Sequence, residues 1–132
     1  MNRSLHAGSA AFALLLVGAL TLPGSADTRE RLHLQLDRSA PEAEATVPAP
    51  SEIRLWFSQE PQAAGTSLRL IRDGAPLEIG DLKPDPEDAS VYVVALESPL
   101  AAGSYTVAWR AMAADGHVVR GEFPFTVQAA HR

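Results

Sequence analysis

The sequence contains no cysteine, and this absence excludes several kinds of chemistry at once. Without thiols, the chain of 132 residues can form no disulfide, no thiolate metal site and no cysteine nucleophile, so an apolar core must hold the fold together. Methionine is almost as scarce, with two residues. A site for a soft metal ion that is built from thioethers needs several of them, and the sequence predicts none.

Basic residues are also fewer than acidic ones. Eleven lysine and arginine residues stand against sixteen acidic ones, which gives a formal net charge of −5 at pH 7, and the basic residues form no run. This balance argues against nucleic acid and anionic lipid as partners, since both are recognised by clustered basic side chains.

Long apolar runs are missing as well. The longest, residues 10–20, is too short to cross a membrane as a finished helix. It follows Arg3 and precedes Pro23 and a group of small residues, which is the pattern of a secretory signal peptide. We therefore predict a signal peptide at residues 1–26, cleaved after Ala26, with an uncleaved anchor as the alternative. The exported domain, residues 27–132, is then not embedded in the membrane.

The exported part alternates apolar and polar residues with the period of two that is typical of half-buried strands. Proline- and glycine-rich connections separate these segments, and no amphipathic helix is evident. About seven short strands with regular turns predict an all-β, single-domain β-sandwich of Greek-key type. The predicted strands lie at 32–36, 53–57, 67–72, 76–79 and 91–96, and on both sides of a hairpin turn at 115–116.

The hairpin turn carries the most suggestive residues. Asp115-Gly116 lies between two alternating segments and is a strong hairpin signal. His117 follows directly, and residues two apart in an extended or turned backbone project to the same side. A carboxylate oxygen beside an imidazole suits a divalent transition metal, of which Cu(II) is the strongest binder in the usual affinity order. Turn chemistry alone also explains an aspartate at this position.

Several segments, in order along the chain, resemble the CopC family of periplasmic copper-binding proteins. The resemblance runs from His33 to Val127 and implies a cupredoxin-like or immunoglobulin-like β-sandwich that binds Cu(II) in copper resistance, homeostasis or transport. It also implies a periplasmic location and a CopD-type inner-membrane protein as a partner. The matching segments are His33-Leu-Gln-Leu with Ser39-Ala-Pro41, residues 50–58, residues 100–110, residues 114–117 and Gly121-Glu-Phe-Pro-Phe125.

The resemblance also implies the metal ligands. Family members bind Cu(II) through the amine and imidazole of an N-terminal histidine, an acidic residue and the histidine of an Asp-Xaa-His turn. His33 matches the first histidine by its spacing to Pro41, and His117 matches the second. Asp115 matches the carboxylate of the turn, either as an oxygen ligand or as the group that orients His117.

The sequence departs from the family's ligand pattern at two positions, and the copper site depends on both. Cleavage after Ala26 leaves six residues ahead of His33, which then has no free amine. Gln59 stands where several family members carry an acid, and Glu60 is one residue further on. Because a shift of one residue along a strand reverses the direction of the side chain, Glu60 can replace that acid only if the strand has already ended.

The residues thus predict a binding protein and not an enzyme, since no nucleophile motif or triad context is present. The first hypothesis is a Cu(II)-binding monomer with His33, Asp115, His117 and Glu60 as candidate ligands. The alternative is a CopC-like interaction module that has lost tight copper binding and acts through a membrane or periplasmic partner. A structural role is the alternative for the Asp115 carboxylate, which could form an ion pair with Arg110 or Arg120 in place of binding a metal.

Overall fold

Alternating burial produces the strands of the fold. In the strand Glu52–Phe57, every second side chain, at Ile53, Leu55 and Phe57, is buried, and the residues between them are half exposed. Because successive side chains of a strand point to opposite faces, each such strand contributes to one apolar face of a sheet. Two sheets with one apolar face each can bury those faces against each other.

The computed structural model describes residues 33–130, so the predicted signal peptide at 1–26 lies outside the described residues. Within residues 33–130, nine strands form a four-stranded sheet in the order β1-β3-β7-β6 and a five-stranded sheet in the order β2-β9-β8-β4-β5. One short 3₁₀ turn, Ala63–Gly65, precedes β4. In residues 33–130, no helix has the length and apolar character needed to cross a membrane. The strands are β1 (Leu36–Ala40), β2 (Thr46–Val47), β3 (Glu52–Phe57), β4 (Ser67–Arg72), β5 (Ala75–Pro76), β6 (Lys83–Asp85), β7 (Asp88–Ala95), β8 (Gly103–Met112) and β9 (Val118–Val127).

One apolar core lies between the two sheets. The smaller sheet contributes Ile53 and Val94, and the larger one contributes Leu70, Val107 and Phe125, all of them fully buried. Removing such a side chain down to alanine costs roughly 2–5 kcal/mol, because the cavity that is left refills only partly. The prediction of an all-β, single-domain sandwich is confirmed, and seven of the nine strands are longer than two residues.

The structure differs from the sequence-based prediction at the edges of the sheets. The first strand begins at Leu36, where the predicted segment 32–36 ends, because the chain pairs with β3 as far as Ala40. Leu34 is nevertheless buried. A second difference is β6, which lies in a segment that reads as a polar connection and pairs with β7 as an edge strand, where Pro84 is tolerated.

Candidate metal centre

The β8–β9 hairpin presents the candidate ligands at its tip. The two strands pair in register over their full length, from Gly103↔Val127 to Met112↔Val118, and residues 113–117 connect them. The Ala113 N–H donates to the His117 carbonyl at 2.8 Å, and the Gly116 N–H donates to the Ala113 carbonyl at 2.9 Å. Gly116 has φ +89°, a conformation that glycine adopts without steric cost. The predicted hairpin is confirmed, with a turn of five residues.

Asp115 and His117 contact each other directly in this turn. Nδ1 of His117 lies 2.7 Å from Oδ2 of Asp115, and the His117 backbone N–H donates to Oδ1 at 3.0 Å. Because an ionised carboxylate can only accept hydrogen bonds, Nδ1 carries the proton of the neutral imidazole. Nε2 then keeps its lone pair, and no group within residues 33–130 bonds to it. The His117 side chain is 86% exposed, so Nε2 is accessible to an ion from solvent.

The turn also keeps Asp115 ionised. The backbone N–H of His117 and, second, its imidazole lower the pKa of the Asp115 carboxyl below its usual value of 3.8. The carboxylate is therefore charged at neutral pH and fixes the tautomer of the imidazole, an arrangement that is common beside metal-binding histidines. Within the described residues, neither Arg110 nor Arg120 forms an ion pair with Asp115, which turns toward His117 instead.

Gln62 attaches the tip of the hairpin to the connection between β3 and β4. Its Nε2 donates to the Ala113 carbonyl at 2.7 Å and to the Ala114 carbonyl at 3.3 Å. Its backbone N–H donates to the Met112 carbonyl at 2.8 Å. Three hydrogen bonds from one residue thus hold the turn against the β3–β4 connection, which makes Gln62 a positioning residue.

His33 lies at the same end of the sandwich. The Ser58 hydroxyl donates to the His33 carbonyl at 3.0 Å and accepts from the Gln35 N–H at 3.0 Å. Ser58 directly follows β3, and the connection that begins there reaches Gln62 four residues later. A continuous path of backbone and hydrogen bonds therefore links the exposed His33 to the His117 turn.

Glu60 lies between these two contacts, exposed in the same connection. β3 ends at Phe57, so the condition for Glu60 to act in place of the family's acid is met. In the part of the chain from residue 33 to 130, however, no three or more His, Cys, Asp or Glu side chains are grouped to hold a metal ion. The structure brings Asp115 and His117 together and leaves His33 and Glu60 apart from them, and the four-residue set stays a prediction.

Two residues that organise this end of the fold could not be identified from the sequence alone. Gln62 bonds to carbonyls that lie 51 and 52 positions away, and Ser58 bonds to His33 across 25 positions. The Gln62 bonds depend on how the β3–β4 connection meets the β8–β9 turn, the Ser58 bond depends on the pairing of β1 with β3, and neither residue belongs to a motif. A hairpin, by contrast, is local, and its residues can be identified from a short window.

Comparisons with known proteins agree with this architecture. Residues 36–128 match the family model described as the CopC domain. Copper resistance protein C of Escherichia coli is 31% identical over 103 residues, which cover 73% of this chain and 82% of that protein. Copper resistance protein C of Xanthomonas campestris pv. juglandis is 29% identical over 102 residues, covering 73% and 80%.

Two crystal structures have the same fold. PcoC, a methionine-rich copper resistance protein from Escherichia coli, matches with a TM-score of 0.66 and 30% identity, covering 73% of this chain and 99% of that chain. CopC from Methylosinus trichosporium OB3b matches with a TM-score of 0.69 and 27% identity, covering 76% and 98%. This chain is not methionine-rich, and its Met112 is half-buried beside Gly65. The family model spans more than half of the sequence and nearly all of the sandwich, and the chain is therefore a member of the CopC domain family.

Proposed function

We propose that this protein binds Cu(II) in the periplasm and serves copper resistance, homeostasis or transport. The observation that carries the proposal is the contact between Asp115 and His117, which leaves Nε2 of an exposed imidazole free to bind a metal. The names of the relatives, copper resistance protein C, support copper as the ion. Imidazole nitrogen and carboxylate oxygen are ligands that Cu(II) accepts readily.

The proposed site lies at the end of the sandwich that carries the His117 turn. His117 supplies one nitrogen through Nε2. Asp115 directs both carboxylate oxygens to His117, which favours an orienting role and leaves its remaining lone pairs for the ion. His33 supplies the second imidazole and Glu60 is the candidate acid from the β3–β4 connection. Copper is the cargo of such a carrier, and we propose no catalysed reaction.

Export and processing belong to the same proposal. A signal peptide at residues 1–26 would deliver a domain of residues 27–132 to the periplasm. A CopD-type inner-membrane protein is the proposed partner, and the domain itself acts as a soluble monomer. Because the mature chain then begins at Asp27, His33 binds through its imidazole alone. We expect a weaker site than in relatives whose histidine is the first residue, since one nitrogen ligand is missing.

The deciding experiment is a Cu(II) titration of protein that begins at Asp27, with electron paramagnetic resonance to count the nitrogen ligands. We expect one Cu(II) per chain with two imidazole nitrogens. His117→Ala should abolish this site and His33→Ala should weaken it. His131→Ala is the matched control, because it removes an imidazole from the C-terminal segment. The proposal fails if no stoichiometric site is found or if binding is unchanged in both the His33 and His117 variants.

One observation favours the alternative function, an interaction module of the same fold that has lost tight copper binding. It is the lack of any three-ligand group within residues 33–130. A second protein that begins at His33 separates the two functions. If it binds Cu(II) tightly and the Asp27 form does not, the ligands are intact and processing decides the function. If neither form binds, the Cu(II) function fails and the interaction module is the remaining candidate.

A further inference from the structure

The outer face of the larger sheet carries three arginines around a shallow depression. Arg110 on β8 and Arg120 on β9 lie directly opposite each other, and Ser67 on β4 is the partner of Arg110 on its other side. Arg69 stands two residues further along β4. The depression has a volume of about 570 Å³. We call it the arginine patch, and its six principal residues are Ser67, Arg69, Ala108, Arg110, Arg120 and Glu122.

Unlike the other arginines between residues 33 and 130, those of the patch contact neither a carboxylate partner nor an aromatic ring. Arg54 forms ion pairs with Glu52 and Asp85, and Arg72 pairs with Asp73. Arg38 lies over the Trp56 ring, 3.9 Å from its centroid. Across the part of the chain that the structure describes, by contrast, no carboxylate lies within ion-pair distance of the three patch arginines. Even Glu122, at the margin of the patch, forms no ion pair with them.

The position of the pair is unfavourable without a ligand. Residues directly opposite each other on antiparallel strands have Cβ atoms about 5 Å apart, and like charges there destabilise the sheet. An anion between Arg110 and Arg120 would turn this repulsion into two charge-assisted hydrogen bonds. Ala108 occupies the middle of the patch, between Arg69 and Glu122 in register, and its small side chain leaves room for such a group.

We propose that the arginine patch binds an extended segment of a partner protein that carries two acidic residues two positions apart. Arg69 and Arg110 are diagonal neighbours on adjacent strands, about 7–8 Å apart. Side chains two positions apart on an extended segment are separated by about 6.5–7 Å and point to the same side. One carboxylate therefore fits between Arg110 and Arg120 while the next one faces Arg69.

Charge complementarity favours this occupant over other anions. A single inorganic ion is small enough to meet the Arg110–Arg120 pair and leaves Arg69 unused. A membrane of anionic lipid would approach a protein whose net charge is −5, so repulsion would oppose the contact over a wide area. A short acidic segment contacts only the arginine patch, so it avoids the repulsion from the rest of the surface. The arginine patch contains none of the proposed copper ligands and would serve a function separate from copper binding.

The test is a titration of the metal-free domain with acetyl-Ser-Glu-Thr-Glu-Ser-amide, followed by backbone amide shifts in NMR spectra. We expect shifts centred on residues 67–69, 108–110 and 120–122. Arg110→Gln and Arg120→Gln should each weaken binding about tenfold, the usual effect of losing one charge-assisted hydrogen bond. Arg120 is exposed, so its variant stays informative if Arg110→Gln fails to fold. Arg38→Gln is the matched control, since it removes the same charge from the other sheet.

Three results would overturn the proposal. The first is equal binding of the peptide with glutamine in place of both glutamates. The second is equal weakening by Arg38→Gln, which would mean that general charge attraction explains the binding. The third is a stronger effect of inorganic phosphate or phosphatidylglycerol vesicles on the same amides at matched charge, which would identify a free anion or a membrane as the occupant. Because the titration uses metal-free protein, its result for the arginine patch does not depend on whether the Cu(II) site exists.

Discussion

Nδ1 of His117 lies 2.7 Å from Oδ2 of Asp115, two residues before it in the same five-residue turn. The contact settles the orientation of the ring by local geometry alone, since both residues belong to one turn. Its consequence is that Nε2, the nitrogen on the far side of the ring, is the one that can bind a metal. The carboxylate of Asp115 and the proposed metal ligand His117 thus lie in one turn.

The first prediction concerns this contact. Asp115→Asn replaces a charged acceptor by a neutral amide, so the imidazole loses the carboxylate that fixes its tautomer and orients its ring. We expect the affinity of the domain for Cu(II) to fall about 10–100-fold, as is usual when such a hydrogen-bond partner is removed. A competition titration with a copper chelator of known affinity measures the change.

The control for this substitution is Asp73→Asn. Asp73 also precedes a glycine in a hairpin turn, between β4 and β5, and its side chain is 92% exposed. This turn is shorter, with two residues between the strands, and contains no histidine. Equal Cu(II) affinities for Asp115→Asn and the unmodified domain would show that Asp115 has no part in binding.

The second prediction concerns the attachment of the turn through Gln62. Gln62→Ala removes the two side-chain hydrogen bonds to Ala113 and Ala114 and leaves the backbone bond to Met112. We expect the free energy of unfolding to fall by about 1 kcal/mol, because water can replace the lost donor at these accessible carbonyls. The amides of Gly116 and His117 should exchange faster with solvent, since the turn is held less firmly.

Gln128→Ala is the matched control for Gln62→Ala, because the Gln128 side chain is exposed near the end of the domain. Denaturant titration gives the stability, and hydrogen exchange followed by NMR gives the local effect. If stability falls while hydrogen exchange at Gly116 and His117 is unchanged, the Gln62 side chain contributes to the stability of the whole domain and does not hold the turn.

Local patterns made much of the fold predictable. The alternation at Ile53, Leu55 and Phe57 identifies β3, and the Asp115-Gly116 pair identifies the hairpin, because both signals lie within a few residues. The first strand was misplaced because its bounds depend on pairing with β3 and not on its own pattern. β6 was missed for the same reason, since an edge strand can consist of polar residues and proline when its neighbour supplies the pairing.

The candidate site likewise contains residues that a local pattern identifies and residues whose placement depends on long-range contacts. Asp115 and His117 could be identified together because they share one turn. The place of His33 relative to that turn depends on β1 and β3 of the smaller sheet and on the connection through Gln62, whereas the turn belongs to the larger sheet. No window of sequence contains those contacts. The arginine patch is a further case, since Arg69, Arg110 and Arg120 come together through strand register alone.

The third prediction concerns the acid stability of the smaller sheet. The Glu87 N–H and, second, the Arg54 guanidinium lower the pKa of the Asp85 carboxyl below 3.8. A carboxyl with a lowered pKa in the folded state stabilises the fold fully above its unfolded-state pKa, and this contribution is lost as the pH falls through the folded-state value. We expect the difference in Tm between the unmodified domain and Asp85→Asn to be largest near pH 7 and to shrink from about pH 4 downward.

Thermal unfolding followed by circular dichroism between pH 7 and pH 2.5 measures this difference. Glu97→Gln is a suitable control, because Glu97 is an exposed carboxylate with no ion pair within residues 33–130. A Tm difference for Asp85→Asn that stays constant across the range would contradict the assignment of Asp85 as the titrating group.

The last prediction concerns the packing of Trp109 on Gly121. The two residues are partners in the β8–β9 ladder, and a Cβ atom at position 121 would lie 2.6 Å from Cζ2 of the indole. Gly121→Ala must therefore push the ring aside, toward Phe57, whose ring centroid is 5.7 Å away. We expect a loss of roughly 1–3 kcal/mol in the free energy of unfolding, the usual cost of overpacking, and a shift in tryptophan fluorescence. Ser104→Ala, on the exposed face of β8, should stay within about 0.5 kcal/mol of the unmodified domain. An unchanged stability of Gly121→Ala would mean that the indole can leave this position freely, and that its contact with Gly121 does not hold β9 against β8.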